Sequence, residues 1–456
     1  MIRIFHHYVS RMAFILVLME LVLLFGAGGV AMLLWGQAPA RFYIPAGSFA
    51  ALILLSMAGL GLYQQQVRED ARAMMLRLLP AMPLGFALHA ALAQLLPGIA
   101  LGKAGGLALL TGGCGVLLVR VLLHSSAHST MLTERLIVVG EGQVARECLE
   151  LAARTRGLHR FEVIGCVPVH GDERCVPASV LLRGGDSLLA LARRHNAHEV
   201  IVSVGDRRSG GYPVRELLEC TLGGVRVTDA ASFFEREASQ IRVDSVQPSF
   251  LIFGGGFDQS FARAAVKRAF DLSASAAIFT LAMPVMLAAA VCILLEDGGP
   301  VMFRQQRVGK DGKLFEVLKF RSMRTDAERD GQPRWASAAD PRVTRSGTWL
   351  RKLRIDELPQ MVNVFRGEMS FVGPRPERAY FVEQLSRQIP YYDIRHSIKP
   401  GITGLAQVRY QYGATVDDAV CKLQYDLYYV KNNSLFLDLL ILIETIQVVL
   451  FGKGAR

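Results

Sequence analysis

Within its first 125 positions the chain carries four long apolar stretches: Met12 to Trp35, Ile44 to Tyr63, Leu78 to Leu101 and Ala104 to Leu123. Each approaches the roughly 20 residues needed to cross a bilayer core. The third is the most broken, because Pro80, Pro83, His89 and Pro97 fall inside it. The first lacks the short apolar core and small-residue cleavage site of a signal peptide. Basic residues set the orientation. Arg3 and Arg11 precede the first stretch and Arg68, Arg72 and Arg77 separate the second from the third, while the other two loops hold only Arg41 and Lys103. Both ends of a four-helix transmembrane bundle over 1–125 are therefore expected on the cytoplasmic side.

At 456 residues the chain is too long for a single typical core. Hydrophobic residues make up 51% and the net charge is +11. Such a balance suits nucleic acid, anionic lipid headgroups or phosphorylated substrates. Beside so many apolar segments lipid is the better match, and no nucleic-acid partner is expected. Seven cysteines are scattered with no CxxC pair, which argues against a disulfide framework or zinc site and fits a reducing compartment.

From Arg135 the texture becomes that of an α/β domain, expected over 135–238. Leu136–Val139 reads as a buried strand, and Phe161–Val167, Glu199–Val204 and Val225–Thr228 as further strands. Helices are expected up to Arg154 and over Ser187–His195, giving a parallel sheet in a Rossmann-like layout. Gly140, Gly142 and Ala145 fit a GxGxxA fingerprint directly after the first strand and are candidate nucleotide-binding residues. The second strand ends without the acidic residue that would hold a ribose, so a structural or regulatory domain is the competing reading. An irregular connector, 239–262, follows.

A fifth apolar stretch, Leu272 to Leu295, has Pro284 near its middle, where a helix loses a hydrogen bond and bends. Lys267 and Arg268 precede it, and Arg304 and Arg307 follow. Both ends thus prefer the same side, and a re-entrant helix over 266–296 is expected rather than a fifth crossing. Next, Val301–Arg324 reads as a strand pair around Lys310-Asp311-Gly312-Lys313, followed by a polar segment and a helix around Arg351–Phe365. The last stretch, Leu435–Phe451, carries Asp438 and Glu444 and reads as an interfacial helix.

The densest chemical cluster is Arg351 to Gln360, where Asp356 and Glu357 adjoin three cations. Neighbours on a helix point about 100° apart, so both carboxylates serve one site only near a helix end. A carboxylate among arginines stays ionised, as a nucleophile or metal ligand must. A solvated face of mixed charge has the same look. Downstream, two prolines stiffen the backbone around Arg375 in Gly373–Arg378, presenting a guanidinium suited to phosphate. Lys399–Gln407, Phe303–Gly309 and Lys319–Met323 add further cations, so a phosphorylated substrate is indicated.

These pieces together carry a resemblance. Lys267–Asp271 (KRAFD), the proline-bent helix, Gly299–Met323, Leu353–Gln360, Phe371–Glu377 (FVGPRPE) and Lys399–Val408 occur in order over about 190 residues. They resemble the catalytic domain of the bacterial sugar transferases, or monotopic phosphoglycosyl transferases, placed here at 263–456 with an α+β fold. With the bundle and middle domain, the chain is similar to the large members that prime exopolysaccharide or O-antigen synthesis.

The resemblance implies a UDP-sugar donor, an undecaprenyl phosphate acceptor and the bacterial inner membrane, with catalysis on the cytoplasmic face. It implies attack by Asp356 on the sugar-linked phosphorus, release of UMP and a covalent aspartyl phosphosugar. Mg²⁺ would be held by Glu357 and Asp356. Arg351 and Arg375 would bind substrate phosphate, with Lys319, Arg321, Glu377, Arg378 and Lys399 as motif residues on the substrate, and Pro284 as the membrane-helix break. The serine usual before that proline is Met283 here. A homodimer is compatible with this reading. Two other functions compete: a membrane-bound nucleotide-sugar dehydratase or epimerase, and a non-catalytic scaffold for polysaccharide assembly. The former needs Tyr-x-x-x-Lys, and no tyrosine here has lysine four residues on.

Overall fold

A computed structural model describes residues 1–5, 7–36, 42–63, 71–126, 133–154, 160–169, 173–182, 187–204, 212–243, 257, 260–325, 342–410, 413 and 415–451. Arg41, Arg68, most of the connector and the polar segment before the Arg351 region lie outside them. The chain divides into two compact units, Met1–Ile4 with Tyr8–Ala238, and Phe5–His7 with Ser239–Arg456.

The first unit begins with helices α1 (Arg11–Leu34), α2 (Tyr43–Gly59), α3 (Ala71–Leu95) and α4 (Gly105–Ser126). α1 packs between α2 and α4, and α3 packs on α2. The segments containing α1, α3 and α4 are long and apolar enough to cross a membrane. α2 has 17 residues, about 26 Å of helix against a hydrocarbon core of about 30 Å. The expected stretch to Tyr63 is cut short at Gly61, whose positive φ and N–H bond to Ala58, with Leu62 N–H on the Met57 carbonyl, form a Schellman stop. α3 runs through Pro80 and Pro83 and ends before Pro97. A β-carbon on Gly85 would stand 2.7 Å from the Cα of Ile53, so only glycine lets α3 approach α2 this closely.

One ionic cluster sits inside this apolar bundle. Glu20 of α1 is fully buried and takes two bonds from Arg120 of α4, at 2.6 and 3.2 Å. The Tyr63 hydroxyl donates to the same carboxylate, and Arg120 lies over the Tyr63 ring.

Strands β1 (Thr133–Val139), β2 (Arg160–Val167), β3 (Glu199–Val202) and β4 (Arg226–Asp229) form a parallel sheet in the order β2-β1-β3-β4. Helices α5 (Gln143–Arg154), α6 (Leu188–Arg194), α7 (Val214–Leu222) and α8 (Ala230–Ala238) alternate with them. Leu136 and Val138 pack with Cys148 and Phe233, whereas Ile137 and Val139 pack with Leu188 and Leu217. Both faces are therefore covered, which is why β1 reads as an unbroken apolar run.

The second unit opens with α9 (Phe261–Asp297), a single 37-residue helix with Pro284 inside it. Its outward side is apolar, with Leu281, Val285, Leu287, Val291, Leu294 and Leu295 exposed. Strands β5 (Met302–Val308) and β6 (Leu314–Phe320) pair antiparallel around Asp311 and Gly312, both at positive φ, closed by a Lys313 N–H to Lys310 carbonyl bond. That is the Asp-Gly hairpin geometry which matches strand twist.

The helix expected over Arg351–Phe365 is instead two: α10 (Arg345–Lys352) and α11 (Gln360–Arg366). Arg354 in the left-handed region and Pro359 part them, leaving a 3₁₀ turn at Ile355–Glu357. Then come β7 (Ser370–Val372), α12 (Ala379–Gln388), β8 (Gly401–Thr403) parallel to β7, α13 (Leu405–Arg409), α14 (Val416–Asn432) and α15 (Leu435–Phe451). Their core joins Phe371, Leu405, Leu427, Tyr428 and Ile441, and it takes in Ile241 and Val243. The start of the expected connector is thus part of this core. The acids of α15 face inward, Asp438 to Lys267 at 2.6 Å and Glu444 to Arg409 at 2.6 Å, while Leu439, Ile446 and Val449 are exposed.

Candidate active site

The break between α10 and α11 resolves how two adjacent carboxylates can share a site. Both lie on one tight 3₁₀ turn, and Asp356 and Glu357 are each buried, 9% exposed. Position Arg354, whose left-handed backbone starts this turn, also sends its guanidinium to Glu357 Oε2 at 3.3 Å.

Two further cations reach Glu357 Oε1: Lys319 from β6 at 3.2 Å, and Arg375 from the loop after β7 at 3.6 Å. Arg351, near the end of α10, donates to Ser322 Oγ at 2.9 Å. Asn363 fixes the frame: its amide accepts from Leu318 N and donates to the Glu316 carbonyl, pinning α11 to β6.

The two carboxyls diverge electrostatically. Burial, and then the charge of Glu357, push Asp356 up to about 6, against the pull of Lys319, Arg351 and Arg375. Burial would raise Glu357 too, yet Lys319, Arg375 and Arg354 more than offset it and hold its carboxyl down. The cations thus serve chiefly to keep Glu357 ionised. Asp356 remains mostly ionised at pH 7, while being more basic than an ordinary aspartate.

Of the residues expected from sequence, the structure brings Lys319, Arg351 and Arg375 to the acidic pair. Arg321, Glu377 and Lys399 are engaged elsewhere. Arg321 donates to the carbonyls of Asp297 and Gly298, closing the end of α9. Glu377 pairs with Arg307 at 3.5 Å. Arg378 caps α12, its carbonyl accepting from Phe381 and Val382. Lys399 stands beside Gly367 and Arg268, at the far end of α11 from the pair. Motif membership did not reveal these directions. Arg354, one of the three cations beside the pair in sequence, joins the site through its i,i+3 spacing to Glu357.

In the middle domain the fingerprint turn is covered by the chain itself. Gly140, Gly142 and Ala145 are buried, the Glu141 carbonyl accepts from Cys175 N at 2.7 Å, and the Glu141 carboxylate pairs with Arg174 at 3.0 Å.

The family model described as bacterial sugar transferase matches residues 262–452. A UDP-N-acetylgalactosamine-undecaprenyl-phosphate N-acetylgalactosaminephosphotransferase of Aeromonas hydrophila is 44% identical, over 56% of this chain and 60% of its own length. A UDP-glucose:undecaprenyl-phosphate glucose-1-phosphate transferase of Escherichia coli is 42% identical, over 42% of this chain and 41% of its own. A UDP-galactose-lipid carrier transferase of Erwinia amylovora is 32% identical, over 70% of this chain and 69% of its own. The chain spans about half the length of several of the curated relatives it matches. The match covers the turn bearing Asp356 and Glu357 together with the elements that supply Lys319, Arg351 and Arg375, and extends through the Erwinia protein over most of both chains: this chain belongs to the bacterial sugar transferase family.

Proposed function

We propose that this protein transfers a sugar 1-phosphate from a UDP-sugar to a polyprenyl phosphate, releasing UMP and initiating a glycan on the lipid carrier. The observation that carries the reading is the buried Asp356 beside a Glu357 held ionised by Lys319, Arg354 and Arg375. Acceptor phosphate and donor diphosphate repel one another, and a covalent route separates them in time. An Asp356 carboxylate oxygen attacks the sugar-bearing phosphorus, and the bond to the bridging oxygen breaks as UMP leaves. A polyprenyl phosphate oxygen then attacks the same phosphorus and frees the carboxylate. A carboxylate near pKa 6 is ionised at neutral pH yet more nucleophilic than an ordinary aspartate.

The donor set is compatible with magnesium. This ion binds through one or two carboxylates plus substrate phosphates and water, and among the described residues no cluster of three or more metal-ligating side chains offers a complete cage. Asp356 and Glu357 would hold it, and when bound it would offset diphosphate charge.

Re-entry of α9 from the cytoplasmic face of the inner membrane is supported by what its two ends touch. Near its start, Arg268 donates to the Val364 and Phe365 carbonyls and Asp271 accepts from Ser370 and Phe371 N. At its other end Glu296 accepts from Arg345 N and Ser346 N, and Ile293 packs with Phe320 and Leu350. Both ends are thus bound into one polar unit. The covered fingerprint turn favours an accessory role for the middle domain.

The test is UMP release from UDP-sugars by membranes supplied with polyprenyl phosphate and Mg²⁺. Asp356→Asn should abolish it and the phosphosugar adduct detected by mass spectrometry. Full release by that variant would leave the scaffold reading.

A further inference from the structure

Three consecutive carbonyls around Arg375 are each taken by a different element. That of Pro374 accepts from Gly401 N at 2.9 Å, that of Arg375 from the Arg395 guanidinium at 3.0 Å, and that of Pro376 from Arg307 at 3.2 Å. Prolines on both sides already narrow the backbone. The peptide between Arg375 and Pro376 has no N–H of its own, so its orientation is fixed from the carbonyl side.

The donor to that carbonyl is an unusual one. Arg395 is 6% exposed and Asp426, its partner, 2%. Its Nε and one terminal nitrogen reach Asp426 Oδ2 at 3.0 and 2.7 Å, and the other terminal nitrogen donates to the Tyr392 hydroxyl at 2.8 Å. A buried ion pair is no more stabilising than well-packed apolar side chains of similar volume. What an apolar side chain cannot supply is a planar fork that grips Asp426 and Tyr392 and still presents an N–H to the Arg375 carbonyl.

We propose that Arg395, held by Asp426 and Tyr392, is a positioning residue that aims Arg375 at Glu357 and at the donor diphosphate. The proposal rests on the reading of Arg375 as a donor-phosphate residue. Arg395 bonds to Asp426, Tyr392 and the Arg375 carbonyl and not to the acidic pair, so its influence passes through that one carbonyl. An ammonium at 395 keeps the charge and a bond to Asp426 but cannot hold all three partners.

The experiment is a double-mutant cycle on the full-length enzyme, read as KM for the UDP-sugar and kcat for UMP release. Arg395→Lys should raise KM about tenfold, the worth of one charge-assisted hydrogen bond, with kcat changed by less than about twofold, as loss of uniform binding predicts. In an Arg375→Gln background the same change should add nothing further, since the residue it aims is gone. If the lysine variant does not fold, Tyr392→Phe, which leaves the ion pair intact, should raise KM in the same conditional way. An unchanged KM, or an equal loss with and without Arg375, would overturn the clamp. Full activity of Asp356→Asn would instead sink the underlying reading of the site.

Discussion

Replacing Lys319 by methionine separates electrostatic tuning of the acidic pair from simple substrate binding. The ammonium lies 3.2 Å from Glu357 Oε1 and is 22% exposed. It is also the cation that does most to hold Asp356 down. At an effective dielectric of about 20, one charge pair at this distance is worth about 5 kcal/mol. Solvent at the lysine and the two guanidiniums that remain reduce the net loss to roughly 1–2 kcal/mol, about one pH unit on the pair's shared proton.

The sign is fixed by which form works. In the proposed reaction Asp356 attacks as the carboxylate, so activity should fall as pH drops through its pKa of about 6. Removing a cation favours the protonated form, and the acid limb of kcat/KM for UMP release should move from near pH 6 to about pH 7. Lys319→Arg should restore it. A uniform loss of rate from pH 5 to 9, with the limb unmoved, would refute the reasoning and leave Lys319 as a donor-binding residue only.

Three other expectations follow from the geometry. Asp438→Asn removes the counter-charge of the partly buried Lys267, which keeps its bonds to the Val372 carbonyl and the Tyr429 hydroxyl, and should destabilise the second unit by about 2 kcal/mol. The Lys267→Met/Asp438→Leu pair should recover most of that, read as thermal unfolding in detergent. Gly347→Ala places a β-carbon 2.1 Å from the Ser322 carbonyl oxygen, so α10 must shift and carry Arg351 off Ser322 Oγ. A lower melting temperature and at least about tenfold weaker donor binding should result, the latter measured by titration of a non-hydrolysable UDP-sugar. Chelation by EDTA should stop UMP release, and added Mg²⁺ should restore it.

Local features were readable from sequence wherever one short stretch dictates the outcome. Leu136–Val139 announced a strand covered on both faces, and Asp311-Gly312 announced its turn. Asp356 and Glu357 were readable as a pair. The break that makes them one site was not, because it depends on a positive φ at Arg354, a residue type with no preference for that region. Long-range partners were equally hidden. Arg395 and Asp426 are 31 positions apart and lie in no shared pattern, and each charged residue of the Glu20–Arg120 pair looks incidental inside an apolar run. Lys399 and Glu377 show the converse. Their motifs were recognised, but a motif does not state where a side chain goes.

The Glu20–Arg120 pair bears on how the protein is made. The two residues are separated by 100 positions, so ribosomes deliver the acid long before the base that neutralises it. A charged side chain at the middle of an isolated membrane helix costs about 2.5–3.5 kcal/mol on insertion scales. α1 is therefore a poor resident of lipid until α4 has been synthesised, with Tyr63 after α2 as an interim partner. Packing of α4 on α1, which brings Arg120 to Glu20, removes that cost. A nascent chain that ends before Arg120 leaves the acid of α1 without the base that neutralises it.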